Sequence, residues 1–481
     1  MKCISEYRRL IRANADVVLS IGILHPINRG GSKFTEVIFM ARKVGMISLG
    51  CPKNQVDAEM MLKKLTDAGY VLVAEAEKAD VVIVNTCAFI EDSKRESIDS
   101  ILEMADYKGD GLIKKIIVTG CLAQRYSDEV LSQIPEVDGV IGIGANDDIV
   151  AACDALFESD EKYTSFPPKE EMPLEGGRVL TTPEYTAYLR IADGCSNCCT
   201  YCAIPSIRGP FRSRRMEDVL DEAARLCEKG VKELVVIAQD TTRYGEDLYG
   251  EYKLPELLRE LKKIEKLHFI RLLYCYPDRI TDELIEEIAS NEKVCKYIDL
   301  PLQHASGKIL KAMNRTGDKK SLLSLIEKLR EKIPGVVIRT TFITGFPGET
   351  EEDFTELSEF LNEARLDKVG CFAYSREEGT PAYDFENQVD RETAEKRAET
   401  LMDQQYRIVQ EKLEEQMGKT VDVLVEGYDS YSDSYYGRSY MDAPDIDGNI
   451  VFTSGYKIDD GEIVPVEIFD KDDYSLIGEA V

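Results

Sequence analysis

The 481 residues carry a formal net charge of −29, and 43% of them are hydrophobic. This length predicts two to four domains with a large core. No stretch approaches the roughly 18 continuous apolar residues that span a bilayer. The acidic charge disfavours a broad nucleic-acid surface, because phosphate binding depends on lysine and arginine. It suits a basic protein partner, or it simply serves solubility.

The beginning of the chain differs from the rest. Lysine and arginine outnumber the acidic residues in 1–39, and Met40 stands directly before a predicted strand. We therefore treat residues 1–43 as an extension and hypothesise that translation starts at Met40, which peptide mapping of the native N-terminus tests. No signal-peptide pattern is present, so we expect a cytoplasmic protein whose 13 cysteines stay reduced.

Residues 44–157 contain three apolar runs, each followed by a cysteine. Such runs, separated by helical segments such as 57–68, predict buried parallel strands of an α/β domain. Ligands bind outside the carboxyl edge of these sheets, so three cysteines there favour a shared metal site, whereas a single one more often packs in the core. Gly50 and Gly120 let the backbone approach a bulky cluster. The runs are 44–49, 81–84 and 116–118, and the cysteines are Cys51, Cys87 and Cys121.

Residues 158–180 follow this domain. They are polar and contain three prolines and two glycines, which predicts an interdomain linker. Cys153 precedes them in a predicted helix at 148–157, and we expect it to be a core thiol.

The next domain begins with a loop of closely spaced cysteines. Three residues separate Cys195 from Cys199, and two separate Cys199 from Cys202. Three thiolates on a four-iron cluster leave one iron without a protein ligand, where a substrate or cofactor can bind. The alternative is a buried cysteine cluster or a zinc knuckle, although zinc usually takes four ligands in paired motifs. Cys198 is adjacent to Cys199 and is left out of the set.

Residues 181–413 alternate between strand-like and helix-like segments about six times. This order predicts parallel strands with crossover helices, and six repeats suggest a partial (βα)6 TIM-like barrel. Active sites in such barrels lie at the carboxyl ends of the strands. The predicted strands are 187–191, 234–238, 269–274, 297–300, 336–343 and 369–374, and the predicted helices include 216–227, 254–264, 281–289, 321–332 and 351–364.

Three further stretches lie at predicted strand ends and could line the same open end of the barrel as the cysteine loop. They are 239–242, Gln303 with His304, and 341–349, which contains Gly345 and Glu349. The alternative for the last stretch is an ordinary strand, glycine turn and helix start. A lone histidine such as His304 is also more often a hydrogen-bonded structural residue than a functional one.

A polar helix at 391–416 precedes a last domain, 414–481. Short alternating runs with glycine turns between them predict a small β-barrel there. The segment 418–481 has 15 acidic and four basic residues, so it is unlike an RNA-binding surface. The runs are 421–425, 449–453 and 463–468.

The cysteine loop with Tyr201 resembles that of the radical S-adenosylmethionine (SAM) enzymes. The runs 48–54, 85–90 and 119–126 resemble the amino-terminal domain of the methylthiotransferases within that superfamily, and the last domain resembles a TRAM domain. The resemblance covers residues 44–481. It implies an α/β protein with a parallel-sheet domain, a radical SAM barrel and a small TRAM barrel.

This resemblance also implies cofactors and site residues. Two four-iron, four-sulfur clusters and SAM are implied, with one cluster cleaving SAM and the other carrying the sulfur that is inserted into a C–H bond. No side chain beyond the cluster ligands is implied to be catalytic. The implied SAM-binding residues are Tyr201, Gly345 and Glu349, and the implied metal ligands are Cys51, Cys87, Cys121, Cys195, Cys199 and Cys202.

One branch of the methylthiotransferases modifies a tRNA adenosine derivative, and another modifies an aspartate β-carbon of the small-subunit ribosomal protein uS12. Residues 205–209 and 436–448 resemble the second branch, and an acidic barrel suits a basic ribosomal protein. The expected partners are uS12 and a flavodoxin-type or ferredoxin-type reductant, with no membrane and no stable nucleic-acid binding. The alternatives are the tRNA methylthiotransferase and a non-catalytic metal-cluster interaction protein.

Overall fold

The computed structural model describes residues 42–481, so the hypothesised start at Met40 lies outside the described residues. The chain forms two compact units. Unit 1 is described from residue 42 to Pro183 and also includes Ile207–Gly209, whereas unit 2 comprises Glu184–Ser206 and Pro210–Val481. No helix in the described part of the chain is long and apolar enough to cross a membrane.

Unit 1 is built on a six-stranded parallel sheet in the order β2-β1-β3-β4-β5-β6. The continuous apolar runs predicted such a sheet, and its strand β3 is buried at all six positions. The strands are β1 Lys43–Ser48, β2 Val71–Leu72, β3 Val81–Thr86, β4 Lys115–Thr119, β5 Gly139–Ile141 and β6 Tyr163–Ser165. The α-helices are α1 Pro52–Asp67, α2 Glu91–Gly109, α3 Gly120–Arg125, α4 Ser127–Gln133 and α5 Ile149–Glu158.

Two boundaries in unit 1 differ from the sequence-based prediction. Helix α1 begins at Pro52 rather than at residue 57, and proline is favoured in the first turn because its missing N–H has no helical partner there. Residues 158–180 are not only a linker, since Tyr163–Ser165 pairs with β5 as the edge strand β6. A polar edge strand lacks the apolar pattern that predicts a buried one. Cys153 is fully buried, as expected.

Unit 2 begins with six parallel strands that neighbour one another in chain order, from β7 to β14. This arrangement confirms the partial barrel. The strands are β7 Thr186–Arg190, β8 Ala192–Asp193, β9 Arg212–Ser213, β10 Glu233–Ile237, β11 Phe269–Leu272, β12 Val294–Asp299, β13 Val337–Thr344 and β14 Lys368–Ala373, of which β8 and β9 form a separate antiparallel pair. The helices are α6 Ile204–Arg208, α7 Met216–Glu228, α8 Glu246–Tyr249, α9 Leu254–Leu261, α10 Asp282–Ser290, α11 Gly307–Ala312, α12 Lys319–Lys332, α13 Glu351–Ala364 and α14 Arg391–Glu414.

The rest of unit 2 is a closed five-stranded barrel in the order β15-β16-β17-β19-β18, as predicted for a TRAM-like domain. Two of its strands, β16 and β19, were absent from the sequence-based prediction. Both are short and mix glycine with polar residues, so neither shows a strong alternating pattern. The strands are β15 Thr420–Asp429, β16 Ser434–Arg438, β17 Ile450–Thr453, β18 Ile463–Asp472 and β19 Ser475–Ala480.

The small barrel contacts the amino ends of the large barrel's strands. Glu233, the first residue of β10, accepts a hydrogen bond of 2.6 Å from Arg438 and one of 2.9 Å from Arg271. All three side chains are buried. The Tyr297 hydroxyl on β12 donates to Asp447 over 2.8 Å. These contacts lie at the opposite strand ends from those where active sites form in such barrels.

Candidate functional site

The three cysteines of unit 1 converge at the carboxyl edge of its sheet. Cys51 is the N-cap of α1, Cys87 follows β3, and Cys121 lies in the first turn of α3 after β4. A Cβ atom added to Gly50 would lie 2.7 Å from the Cys87 sulfur. Burial raises the pKa of the Cys121 thiol to about 12, and the nearby Cys87 and Cys51 contribute to the rise.

A buried asparagine holds the loops of this first triad together. The Asn54 side-chain amide donates to the carbonyl of Leu49 over 2.8 Å and to that of Thr86 over 3.0 Å. Asn85 in turn donates to the Asn54 carbonyl over 2.7 Å. Gly120 adopts a φ of +89°, and a Cβ atom there would lie 2.4 Å from the Thr86 carbonyl oxygen. The backbone approach at this edge therefore requires glycine.

Arg208 is a functional candidate that the sequence did not reveal. Its guanidinium is buried in unit 1, where it lies 2.8 Å from the Asp57 carboxylate and 3.2 Å from the Asn54 side-chain oxygen. Burial is the main cause of the raised pKa of Cys121, and Arg208 opposes it as a hydrogen-bond donor to that thiol. The only available sign was the run 205–209, which was noted for its family resemblance.

The second triad lies in the loop between β8 and α6, at the carboxyl side of β7. Burial raises the pKa of Cys195 to about 11 and that of Cys202 to about 12, and Cys199 raises both further. Cys198 is exposed and adopts a φ of 51°. The Cys198 side chain is thus more exposed to solvent than those of Cys195, Cys199 and Cys202. The prediction had left Cys198 out of the ligand set.

Two other parts of the barrel hold this cysteine loop. The Asn197 side chain donates to Asp240 over 2.9 Å, so the predicted stretch 239–242 does meet the loop. The turn after α11 was not predicted to take part. There, Thr200 donates its N–H to the Met313 carbonyl over 3.1 Å and its hydroxyl to the Ala312 carbonyl over 2.8 Å.

The predicted SAM-binding residues occupy two places. Tyr201 packs against the apolar cluster of Ile309, Met313, Phe346 and Ala382. Burial and the Cys199 thiol, which shares a hydrogen bond with the Tyr201 hydroxyl, raise the pKa of Tyr201 well above its ordinary value.

Gly345 and Glu349 belong to the glycine turn that follows β13. The Glu349 carboxylate is buried, accepts the Gly345 N–H over 2.8 Å, and accepts a hydrogen bond of 2.7 Å from Arg397. His304 is fully buried, with its Nε2 3.5 Å from Glu349 and its Nδ1 accepting the Ser306 N–H over 2.9 Å. Through these contacts Glu349 fixes the turn. His304 has the buried, hydrogen-bonded environment of a structural residue.

The thiols of both triads are the ligand type that an iron–sulfur cluster takes. Among residues 42–481, no three His, Cys, Asp or Glu side chains are placed to hold one metal ion. A four-iron cluster binds its cysteines through different irons, so its ligands stand farther apart than those of one ion. Each triad offers three thiols, which matches the ligand set of a cluster with one iron left open.

Three family models match the chain, one in each region described above. Residues 43–142 match a family described as uncharacterized protein family UPF0004, residues 189–361 match the radical SAM superfamily, and residues 417–481 match the TRAM domain. The middle match means that the barrel belongs to enzymes that use SAM and a four-iron, four-sulfur cluster.

Relatives that match nearly the whole chain agree with these family models and identify the family more narrowly. The chain is 49% identical to a protein of Acetivibrio thermocellus named ribosomal protein uS12 methylthiotransferase RimO, over 92% of this chain and 99% of the relative. It is 52% identical to a protein of the same name from Clostridium botulinum, over 91% and 97%. The chain belongs to the RimO family of radical SAM methylthiotransferases. It is therefore a transferase. A third protein of that name, from Caldanaerobacter subterraneus, is 51% identical over 91% of this chain and all of the relative.

Solved structures support the fold. The radical SAM methyltransferase TsrM from Kitasatospora setae, solved with cobalamin and a four-iron, four-sulfur cluster bound, superimposes with a TM-score of 0.52 at 14% identity. The match covers 71% of this chain and 77% of TsrM. At that identity the likeness shows the shared fold.

Proposed function

We propose that this chain adds a methylthio group to the β-carbon of an aspartate of ribosomal protein uS12. The observation that carries the proposal is the identity of about half over more than nine-tenths of the chain with relatives named for that activity. The proposed substrate belongs to the ribosome, so the enzyme would act in the cytoplasm. All three regions match the family, and both cysteine triads lie at the carboxyl edges of their sheets.

We further propose that the two triads hold different clusters. The unit 2 triad lies at the carboxyl edge of a radical SAM barrel, where the family binds SAM, and we assign it the cluster that cleaves SAM. The unit 1 triad, Cys51 with Cys87 and Cys121, would hold a second cluster. When bound, these groups and SAM supply the radical that removes a hydrogen atom and the methylthio group that replaces it.

The protein's own residues supply orientation and a shielded cavity. Tyr201 presents a ring beside the SAM-cleaving triad, and Gly345 offers backbone close to the barrel mouth. Glu349 holds the Gly345 turn through the 2.8 Å hydrogen bond to its N–H. No side chain is needed as a general base, because the hydrogen leaves the substrate as an atom rather than as a proton.

The small barrel is the proposed docking domain for the substrate. Its 15 acidic residues against four basic ones favour a basic partner and oppose a phosphate backbone, so we expect no stable nucleic-acid complex. A flavodoxin-type or ferredoxin-type protein would supply electrons to the SAM-cleaving cluster.

The first test is the intact mass of uS12 from cells with and without this gene. We expect one methylthio increment in the parent and its loss in the deletion. A plasmid copy should restore the increment, whereas a copy carrying Cys199→Ala should not. An unchanged uS12 mass together with loss of a methylthio nucleoside from tRNA would instead favour the tRNA branch.

A second readout separates an enzyme from a metal-binding interaction protein. Under strong reduction, the purified chain should convert SAM to deoxyadenosine. A chain that binds iron and never forms deoxyadenosine would contradict the enzymatic assignment.

A further inference from the structure

Arg315 is a buried cation that has no acidic partner among residues 42–481. Its side chain is 8% exposed, and no carboxylate of the described residues lies within 4 Å of its guanidinium. Burying an unpaired charge is costly, so buried arginines are normally paired. The fully buried Arg208 and Arg271 follow this rule, since Arg208 is paired with Asp57 and Arg271 with Glu233.

What surrounds Arg315 instead is the cysteine loop. One guanidinium nitrogen donates to the Cys199 sulfur over 3.8 Å, and another donates to the Pro301 carbonyl over 2.6 Å. The plane of the guanidinium lies over the Tyr276 ring, 4.3 Å from its centre. A carbonyl and a ring orient the side chain, but neither neutralises its charge. The Cys199 thiol would become an anion as a metal ligand, because a metal binds the thiolate form.

The backbone beside Arg315 fixes this geometry. The turn 312–315 accepts both hydrogen bonds from Thr200, and Asn314 donates to the Cys198 carbonyl over 3.0 Å. Asn314 adopts a φ of 57°, in the left-handed region that asparagine tolerates better than most residues. The guanidinium is therefore held at Cys199 by the same turn that holds the loop.

We propose that Arg315 is a positioning residue that acts through Cys199: it donates a hydrogen bond to the ligand sulfur and balances the negative charge of the SAM-cleaving cluster. This inference rests on the proposed assignment of Cys195, Cys199 and Cys202 to that cluster. Hydrogen bonds to cluster sulfurs and nearby charge set the reduction potential, and a cation stabilises the more negative, reduced state. Arg315 thus raises the potential and makes the cluster easier to reduce.

The test is the midpoint potential of this one cluster. The full chain carrying Cys51→Ala, Cys87→Ala and Cys121→Ala provides the background, so that the electron paramagnetic resonance signal of the reduced protein comes from the second triad. In that background we expect Arg315→Met to lower the equilibrium constant for one-electron reduction at least tenfold. This corresponds to a midpoint potential that is lower by about 59 mV. Arg315→Lys keeps the charge and should restore most of the shift, whereas Arg315→Gln should not.

Two controls separate this role from a general disturbance. Arg225 is exposed on α7, and Arg225→Met should leave the potential unchanged. Tyr201→Phe removes a neutral hydrogen bond to Cys199 and should lower the potential less than Arg315→Met does.

The outcomes distinguish this inference from the proposed function. A background protein with no iron signal and no SAM cleavage would contradict the cluster assignment itself. A normal signal with the same potential in the Met, Lys and Gln variants would overturn only the role of Arg315. Weaker SAM binding at an unchanged potential would also overturn it, because Arg315 would then act on SAM. If Arg315→Met holds no iron, the difference in midpoint potential between Arg315→Lys and Arg315→Gln still tests the role of the charge.

Discussion

The two cysteine triads are assembled in different ways. In unit 1 the thiols come from the ends of three segments far apart in sequence, and Asn54 joins the backbones of two of them, those of Cys51 and Cys87. In unit 2 they come from one short loop, which a separate turn holds in place. The first triad therefore depends on three strand ends of one sheet, whereas the second depends on one loop that two other parts of the barrel hold in place.

The arginines beside the triads differ as well. Arg208 lies 2.8 Å from the Asp57 carboxylate. Burial raises the pKa of the Cys121 thiol, and the charge of Arg208 opposes that rise. Arg315 has no such carboxylate beside it in the described part of the chain, and it donates to the Cys199 sulfur over 3.8 Å. Both triads thus have a buried arginine that donates to a thiol, and among the described residues the two arginines differ in whether a carboxylate lies beside them. A paired arginine should matter for stability and an unpaired one for the electronic state of the cluster.

The largest expected effect is the division of labour between the triads. Cys199→Ala should abolish both deoxyadenosine formation and uS12 modification, because it removes a ligand of the SAM-cleaving cluster. Cys87→Ala should abolish modification yet retain uncoupled SAM cleavage. Cys198→Ala is the matched control, since this thiol is exposed, and it should keep both activities. Methylthiolation that survives in either ligand variant would contradict the assignment.

Breaking the paired arginine should be the next largest effect. Arg208→Met removes the guanidinium that lies 2.8 Å from the buried Asp57 carboxylate, and we expect unit 1 to lose on the order of 3 kcal/mol of stability. Hydrogen exchange of the peptides covering β1, β3 and β4 measures this loss. The exposed Arg95→Met should change the same peptides by less than about 0.5 kcal/mol. Equal protection in both variants would mean that Arg208 is not a structural partner.

The paired arginines of unit 2 predict a pH dependence. Burial acts to raise the pKa of Glu233, but Arg438 and Arg271 outweigh it and hold the pKa at about 2 instead of 4.5. Its stabilisation, about 3 kcal/mol, is thus complete above pH 4.5 and disappears as the pH falls toward 2.

Glu233→Gln tests this dependence. The variant should have a lower thermal midpoint than the parent near pH 6, and the two midpoints should converge near pH 2. Glu217→Gln, at an exposed position on α7, should follow the parent curve throughout. A constant difference between Glu233→Gln and the parent would show that the carboxylate charge is not the cause.

A smaller effect should come from the glycine at the sheet edge. Gly120→Ala forces a left-handed residue and brings Cβ within 2.4 Å of the Thr86 carbonyl oxygen, so we expect a cost of about 2 kcal/mol or more and less iron in the unit 1 triad. Gly111 has a similar φ of +74°, and a Cβ atom added there would have nothing within 4 Å. Gly111→Ala therefore measures the cost of the left-handed conformation without the steric clash. Iron content measured beside deoxyadenosine formation reports the two triads separately.

Much of the fold could be predicted because the core strands carry strong patterns. The strand β3 and the six barrel strands are apolar runs at regular spacing, and helix α13 occupies the predicted residues 351–364. The prediction was less complete where the local pattern was weak. The edge strand β6 is polar, and β16 and β19 are stabilised by barrel closure rather than by their own residues.

The sequence by itself determined the ligand types, their spacing and the order of strands and helices, because these depend on residues that are close in the chain. Only the tertiary structure decided which charges accompany the thiols. Arg208 joins unit 1 from a segment that follows the second triad, and Arg315 reaches Cys199 from a turn more than 100 residues later in the chain. Their pairing depends on distances in space, and electrostatic energy depends on those distances rather than on sequence separation.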